Sequence, residues 1–212
     1  MSMEATAHPQ RKPRPLLRAT WRAIKVMVLL MATYLLHVCV MPHVKILGIT
    51  PSLVFAVTAV LTVGLGKLRA AWIGMFFGIL LEVMQPTHTL FNLLIYPISA
   101  IFGSLLFADK GIQQLEYERG LGKPGRNVSS YVRTPLCALA DTAVYEIVNL
   151  AYVYLRSANL TGLMVLRGLA DLLLTALIAA VIMLPIRRYL GIRPAADLPG
   201  SDAPIPYKAR KS

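Results

Sequence analysis

Residues 49–107 read ITPSLVFAVTAVLTVGLGKLRAAWIGMFFGILLEVMQPTHTLFNLLIYPISAIFGSLLF, and Lys67, Arg69 and Glu82 are the only formally charged side chains among them. The stretch resolves into three apolar runs, 49–65, 70–85 and 90–108. Local chemistry marks their borders. Pro51 suits a first helical turn, where its missing N–H is harmless, and Thr50 before it predicts an N-cap. Only Gly66 to Arg69 joins the first two runs, so an antiparallel hairpin is expected there. Pro86 stops the second run. Pro97 falls inside the third, where it should free a carbonyl and bend the helix, tolerable if a neighbouring serine answers it.

Three more apolar runs, 26–41, 135–155 and 168–186, complete the pattern. Pro42 ends the first of these, Thr134 and Pro135 predict the start of the second, and Pro185 predicts a terminal distortion in the third. A helix needs about 20 residues to cross the roughly 30 Å of hydrocarbon. The runs at 26–41, 49–65 and 70–85 are somewhat short, and flanking polar groups must extend them; Lys25 can do so by snorkelling. No small-x-small cleavage site follows 26–41, so that run is expected to remain as a span.

The whole chain agrees. Of its 212 residues 56% are apolar and only 15% charged, with a mean hydropathy of +0.60. A soluble domain carries about 25% charged residues. One core could not hide this much apolar surface, which excludes a soluble enzyme. The net charge of +12 does not indicate nucleic acid, because the basic residues sit in tails and loops between the runs. With six spans both termini share a side, and that side holds 19 Lys and Arg against only Lys45, Arg156 and Arg167 opposite. The excess makes it cytoplasmic.

The expected fold class is therefore an all-α polytopic integral membrane protein with six transmembrane helices. A basic cytoplasmic arm occupies 1–25, the six-helix domain 26–190 with a cytoplasmic loop at 109–134, and a flexible proline-rich cytoplasmic tail 191–212. Trp21 among arginines suits an interfacial helix leading into the first span. Within the loop, 113–119 could form a short helix before the glycines.

His37, Glu82, Asp141, Glu146 and Asp171 interrupt the apolar runs, and each must turn inward, find a partner or sit near an interface. Asp141, Tyr145, Asn149 and Tyr152 recur at helical spacing on one face. Arg167 and Asp171, four apart, are placed for an ion pair. These groups are expected to form a polar seam that fixes helix packing or docks a partner rather than holding a substrate. Asp141 and Glu146, five apart, diverge too far to act together, and His37 has no acid in its own run. Gly74 and Gly78 form a small-residue pair, expected to pack run 70–85 against run 49–65. Cys39 and Cys137 are isolated. No nucleotide loop, metal triad or nucleophile–base pair is visible, so neither enzyme activity, metal nor cofactor is expected.

In their order, the elements between residues 46 and 109 resemble the rod-shape-determining MreD family. In that family a proline and a leucine open the second apolar segment, matched by Pro51 and Leu53. A basic hairpin, a Gly-x-x-x-Gly run, a Leu-Leu-acid step and a downstream asparagine follow. Here they fall on Arg69, Gly74, Gly78, Leu80, Leu81, Glu82 and Asn92, with Tyr96 and Gly103 beyond. The ending LLLTALIAAVIMLPIRRYL, with Arg187 and Arg188, is also similar. Two features depart: the acid is usually aspartate, and 85–89 replaces a glycine-rich turn.

The resemblance implies a non-enzymatic component of the bacterial cell-elongation machinery in the cytoplasmic membrane. Its implied partners are an MreC-type shape protein, MreB-type actin-like filaments and the elongation peptidoglycan synthases. It also implies a fold like the substrate-binding membrane subunits of energy-coupling-factor vitamin transporters. That likeness supplies the alternative, a small-molecule transporter subunit using Asp141, Tyr145, Asn149 and Asp171.

Overall fold

A computed structural model describes residues 15–44, 49–84, 90–110, 114, 117–118, 121, 129–156 and 161–192. The expectations for residues 1–14, for most of the 109–134 loop and for the tail from 193 onward lie outside the described residues. Among those described the protein is all-helical. Helix α1 is Pro15–Cys39, α2 Leu53–Leu65, α3 Lys67–Met84, α4 Phe91–Phe107, α5 Ser130–Leu155 and α6 Gly162–Leu190. A short 3-10 turn, Met41–His43, follows α1 at Pro42.

Three segments are long and apolar enough to cross a membrane: Ala19–His43, Ser130–Leu155 and Gly162–Leu190. Helices α2 and α4 are apolar but shorter. At about 1.5 Å per residue, the 13 residues of α2 span only about 20 Å. The shortness is tolerable because α2 is the core of the bundle. Every residue from Leu53 to Val63 is buried, and α1, α3, α4, α5 and α6 all pack against it. A helix apolar on every side requires such cover.

Elsewhere the usual distribution of polarity is inverted. On α6, Leu166, Leu169, Leu173, Leu177, Val181 and Leu184 are exposed, while the buried residues include Gly168, Thr175, Ala176, Ala179 and Arg187 beside Met183, Ile186 and Leu190. The outward stripe is the more apolar face, as a helix bordered by lipid requires.

At one end of the bundle, four helices are tied to Asp109. The Asp109 N–H donates to the Val63 carbonyl near the end of α2 at 3.1 Å. Arg133 from the first turn of α5 forms an ion pair with its carboxylate, and donates to the Phe107 and Ala108 carbonyls that end α4, at 3.3 and 3.2 Å. Arg187 in the last turn of α6 stands 3.9 Å from the other carboxylate oxygen, where its charge also suits the helix dipole. Both arginines are buried. Nothing in the apolar pattern singled out Asp109.

Several borders differ from expectation. Helix α2 begins after Ser52, not Thr50, because the Ser52 N–H is held by Thr175 Oγ1 at 3.1 Å. Helix α5 begins after Ser129, whose hydroxyl accepts the Tyr131 N–H at 3.4 Å; Pro135 thus lies within the helix. Its missing donor affects only the carbonyl of Tyr131, in the first turn. Helix α6 starts at Gly162 and runs through Pro185 without a break. The stretch around Trp21 is helical and continuous with α1 from Pro15.

Gly74 and Gly78 need the largest correction. An added Cβ at Gly74 would lie 2.7 Å from the Tyr96 carbonyl and 2.8 Å from Pro97 Cα. At Gly78 it would lie 2.8 Å from the Asn92 carbonyl. The pair therefore faces α4, not α2, and α3 with α4 makes the most extensive helix–helix contact of the bundle. A one-residue connector, Gly66 at φ +90, brings the ends of α2 and α3 together without fixing which faces meet.

Candidate functional site

The glycine contact brings α3 and α4 close enough for a second tie. Glu82, in the last turn of α3, reaches the start of α4, where Oε1 accepts the Leu90 N–H and Oε2 the Asn92 N–H, both at 2.9 Å. Leu90 is itself in the left-handed region, φ 63, and no side chain within α4 caps the helix. Glu82 supplies that cap from the neighbouring helix, with its charge against the positive end of the dipole.

Beyond this joint lies a cavity of about 560 Å³ at the end of the bundle opposite Asp109. All six helices reach it or its rim: His37, Ser52, Leu81, Asn92, Glu146 and Asp171 come from or flank α1 to α6 in turn. Aromatic rings form one wall. Phe55 and Tyr96 stack at 4.7 Å between centroids with an interplanar angle of 4°, and Tyr145 tilts against them at 5.2 and 5.7 Å. Phe91 and Tyr152 extend this cluster along α4 and α5, 5.3 Å apart.

The carboxylates have separate anchors. Asp171 Oδ1 accepts the Thr175 hydroxyl at 3.1 Å, and the same hydroxyl accepts the Ser52 N–H at the start of α2. Asp171 is thereby held beside the N-terminal end of α2, whose dipole favours a negative group. Asn149 lies within hydrogen-bonding reach of Glu146. His37 Nδ1 is buried without a hydrogen-bond partner among the described residues. Neither lysine nor arginine is among the described residues lining the cavity.

The residues expected to form one seam thus divide. Tyr145, Asn149 and Asp171 border the cavity. Asp141 does not: it is fully buried between α5 and α4. Its Oδ2 accepts from the Cys137 thiol at 3.8 Å, and its Oδ1 points at Gly103 with no hydrogen-bond partner among the described residues. Arg167 is exposed and makes no ion pair with Asp171, which turns to Thr175 one helical turn further on. Arg69 lies at the other end, with Arg22 and Trp72, in an apolar groove of about 470 Å³ between α1 and α3.

Two cavity residues were passed over in the sequence. Glu146 is poorly spaced to act with Asp141, yet its acidic neighbour is Asp171 on another helix. His37 has no acid in its own run, and it shares the cavity lining with Glu146 of α5 and Asp171 of α6. Matching the depths of polar groups across antiparallel runs, rather than along one run, was the available signal. Among the described residues no group of three or more His, Cys, Asp or Glu is placed to hold a metal ion. Compared with known protein families, curated proteins and solved structures, the chain gives no match.

Proposed function

We propose that this chain is a non-enzymatic, multi-pass component of the bacterial cell-elongation machinery in the cytoplasmic membrane. On this reading it helps organise peptidoglycan synthesis with an MreC-type shape protein, MreB-type filaments and the elongation synthases. The supporting observation is that residues carrying the rod-shape resemblance act as one unit. Gly74 and Gly78 admit α4 to the surface of α3, and Glu82 caps α4 through Leu90 and Asn92. A motif whose members cooperate physically is harder to ascribe to chance than scattered identities.

In this proposal all six helices cross the bilayer, in an arrangement like that of energy-coupling-factor substrate-binding subunits. Helices α2 and α4 complete their crossings with flanking residues and with cover from the longer helices. Both termini and the 109–134 loop are cytoplasmic, following the basic excess. The groove between α1 and α3, with Arg22 and Arg69, is the partner-facing surface in this reading.

A second reading, a substrate-binding membrane subunit of a small-molecule transporter, is favoured by the polar cavity alone. Capture of the full-length chain from native membranes, with identification of protein partners, separates the two. The first reading expects an MreC-type protein and elongation synthases. Recovery of an energising ATPase in their place would overturn it.

A further inference from the structure

The cavity has features that helix packing alone does not require. Its volume, about 560 Å³, falls in the range of about 300–1,000 Å³ typical of small-molecule sites. Its polar groups come from separate elements and converge on open space. Two carboxylates, Glu146 and Asp171, face it from α5 and α6, with no lysine or arginine among its described lining residues. Asn92 and Asn149 add amide groups able to orient a ligand. The rings of Phe55, Tyr96 and Tyr145 stand together at one wall, and π-faces attract organic cations.

We propose that this cavity binds a small organic cation carrying an ammonium or guanidinium group. The cation would meet the carboxylates of Glu146 and Asp171, with its carbon skeleton against the aromatic wall. An anion would face two like charges with His37 as the basic residue among the described lining, and a purely apolar ligand would leave the carboxylates and amides unanswered. The inference does not rest on the cell-elongation reading: such a site serves a scaffold that responds to a solute as well as a transporter subunit.

The test uses the purified full-length chain in detergent at constant ionic strength, titrated with spermidine, choline and agmatine. Citrate serves as the anionic control and triethylene glycol as the neutral one. At least one of the three cations should bind saturably and raise the melting temperature, whereas neither control should. Glu146→Gln and Asp171→Asn should each weaken that binding at least tenfold. Asp141→Asn, which is not a lining residue of the cavity, should leave it within twofold. Because Asp171 also anchors α2, Asn149→Leu provides a check that spares both carboxylates, and it too should weaken binding. The proposal is overturned if none of the three cations binds saturably, if citrate binds as well as they do, or if folded Glu146→Gln and Asn149→Leu proteins bind like wild type.

Discussion

Gly103 on α4 and Asp141 on α5 are matched to each other: Asp141 Oδ1 occupies the space that a Cβ at position 103 would need. Cys137 Sγ closes the same space, 3.1 Å from that Cβ position. The glycine allows a fully buried carboxyl group to fit where two helices meet. Overpacking of such a site costs about 1–3 kcal/mol.

Gly103→Ala should therefore lower the melting temperature in detergent, and Asp141→Ala should do so by leaving a void. Made together, the two changes should destabilise less than the sum of the singles, since each relieves the other. Double-mutant analysis should give a coupling of at least about 0.5 kcal/mol. Strict additivity would show that the two positions do not share this space.

The Glu82 cap makes a graded prediction. Glu82→Gln keeps one acceptor oxygen and loses both the second and the charge. Glu82→Ala loses all three. Stability should fall in the order Glu, Gln, Ala, with the alanine variant down by about 1–2 kcal/mol, as for a lost N-cap. Equal melting of the three proteins would mean that the start of α4 does not depend on α3.

Gly78→Leu should reduce the amount of folded protein in the membrane far more than Ile79→Leu. Position 78 faces the α4 backbone, whereas Ile79 is exposed. Membrane fractions quantified from equal numbers of cells provide the comparison, and equal accumulation would remove the close α3–α4 contact from the account.

How far the sequence could lead is clear at these positions. The apolar runs located the helices, since lipid and core both demand continuous apolar surface. Helix starts were less legible: Thr50 and Thr134 are the caps the sequence predicts, whereas α2 and α5 begin after Ser52 and Ser129. The choice fell to tertiary contacts, such as the hold of Thr175 on Ser52. Spacing put Gly74 and Gly78 on one face but could not name the helix that meets it. Tyr145, Asn149 and Asp171 were legible as polar interruptions. Their division from Asp141, and their meeting with His37 and Glu146, depends on how α1, α5 and α6 are arranged around α2.

Membrane orientation is tested with single cysteines in a Cys39→Ala background, because the Cys39 thiol is exposed. Cysteines at Ser2, Leu121 and Ser201 should resist an impermeant thiol reagent in intact cells and react after lysis. One at Thr161 should react in intact cells. Leu121 is preferred over Ser129, whose hydroxyl caps α5. Labelling of Ser2→Cys or Ser201→Cys in intact cells would break the six-span arrangement.

The central claim is that this membrane protein serves cell elongation, and the shape of cells depleted of it is the most direct measure. On the proposed reading the host is a rod-shaped bacterium, and controlled depletion of the chain there should widen and round the cells within a few generations as insertion of new wall along the sidewall is lost. Re-expression of the intact chain should restore rods, and Glu82→Ala should restore them less well. Depleted cells that keep an unchanged width and continue to elongate would contradict the account.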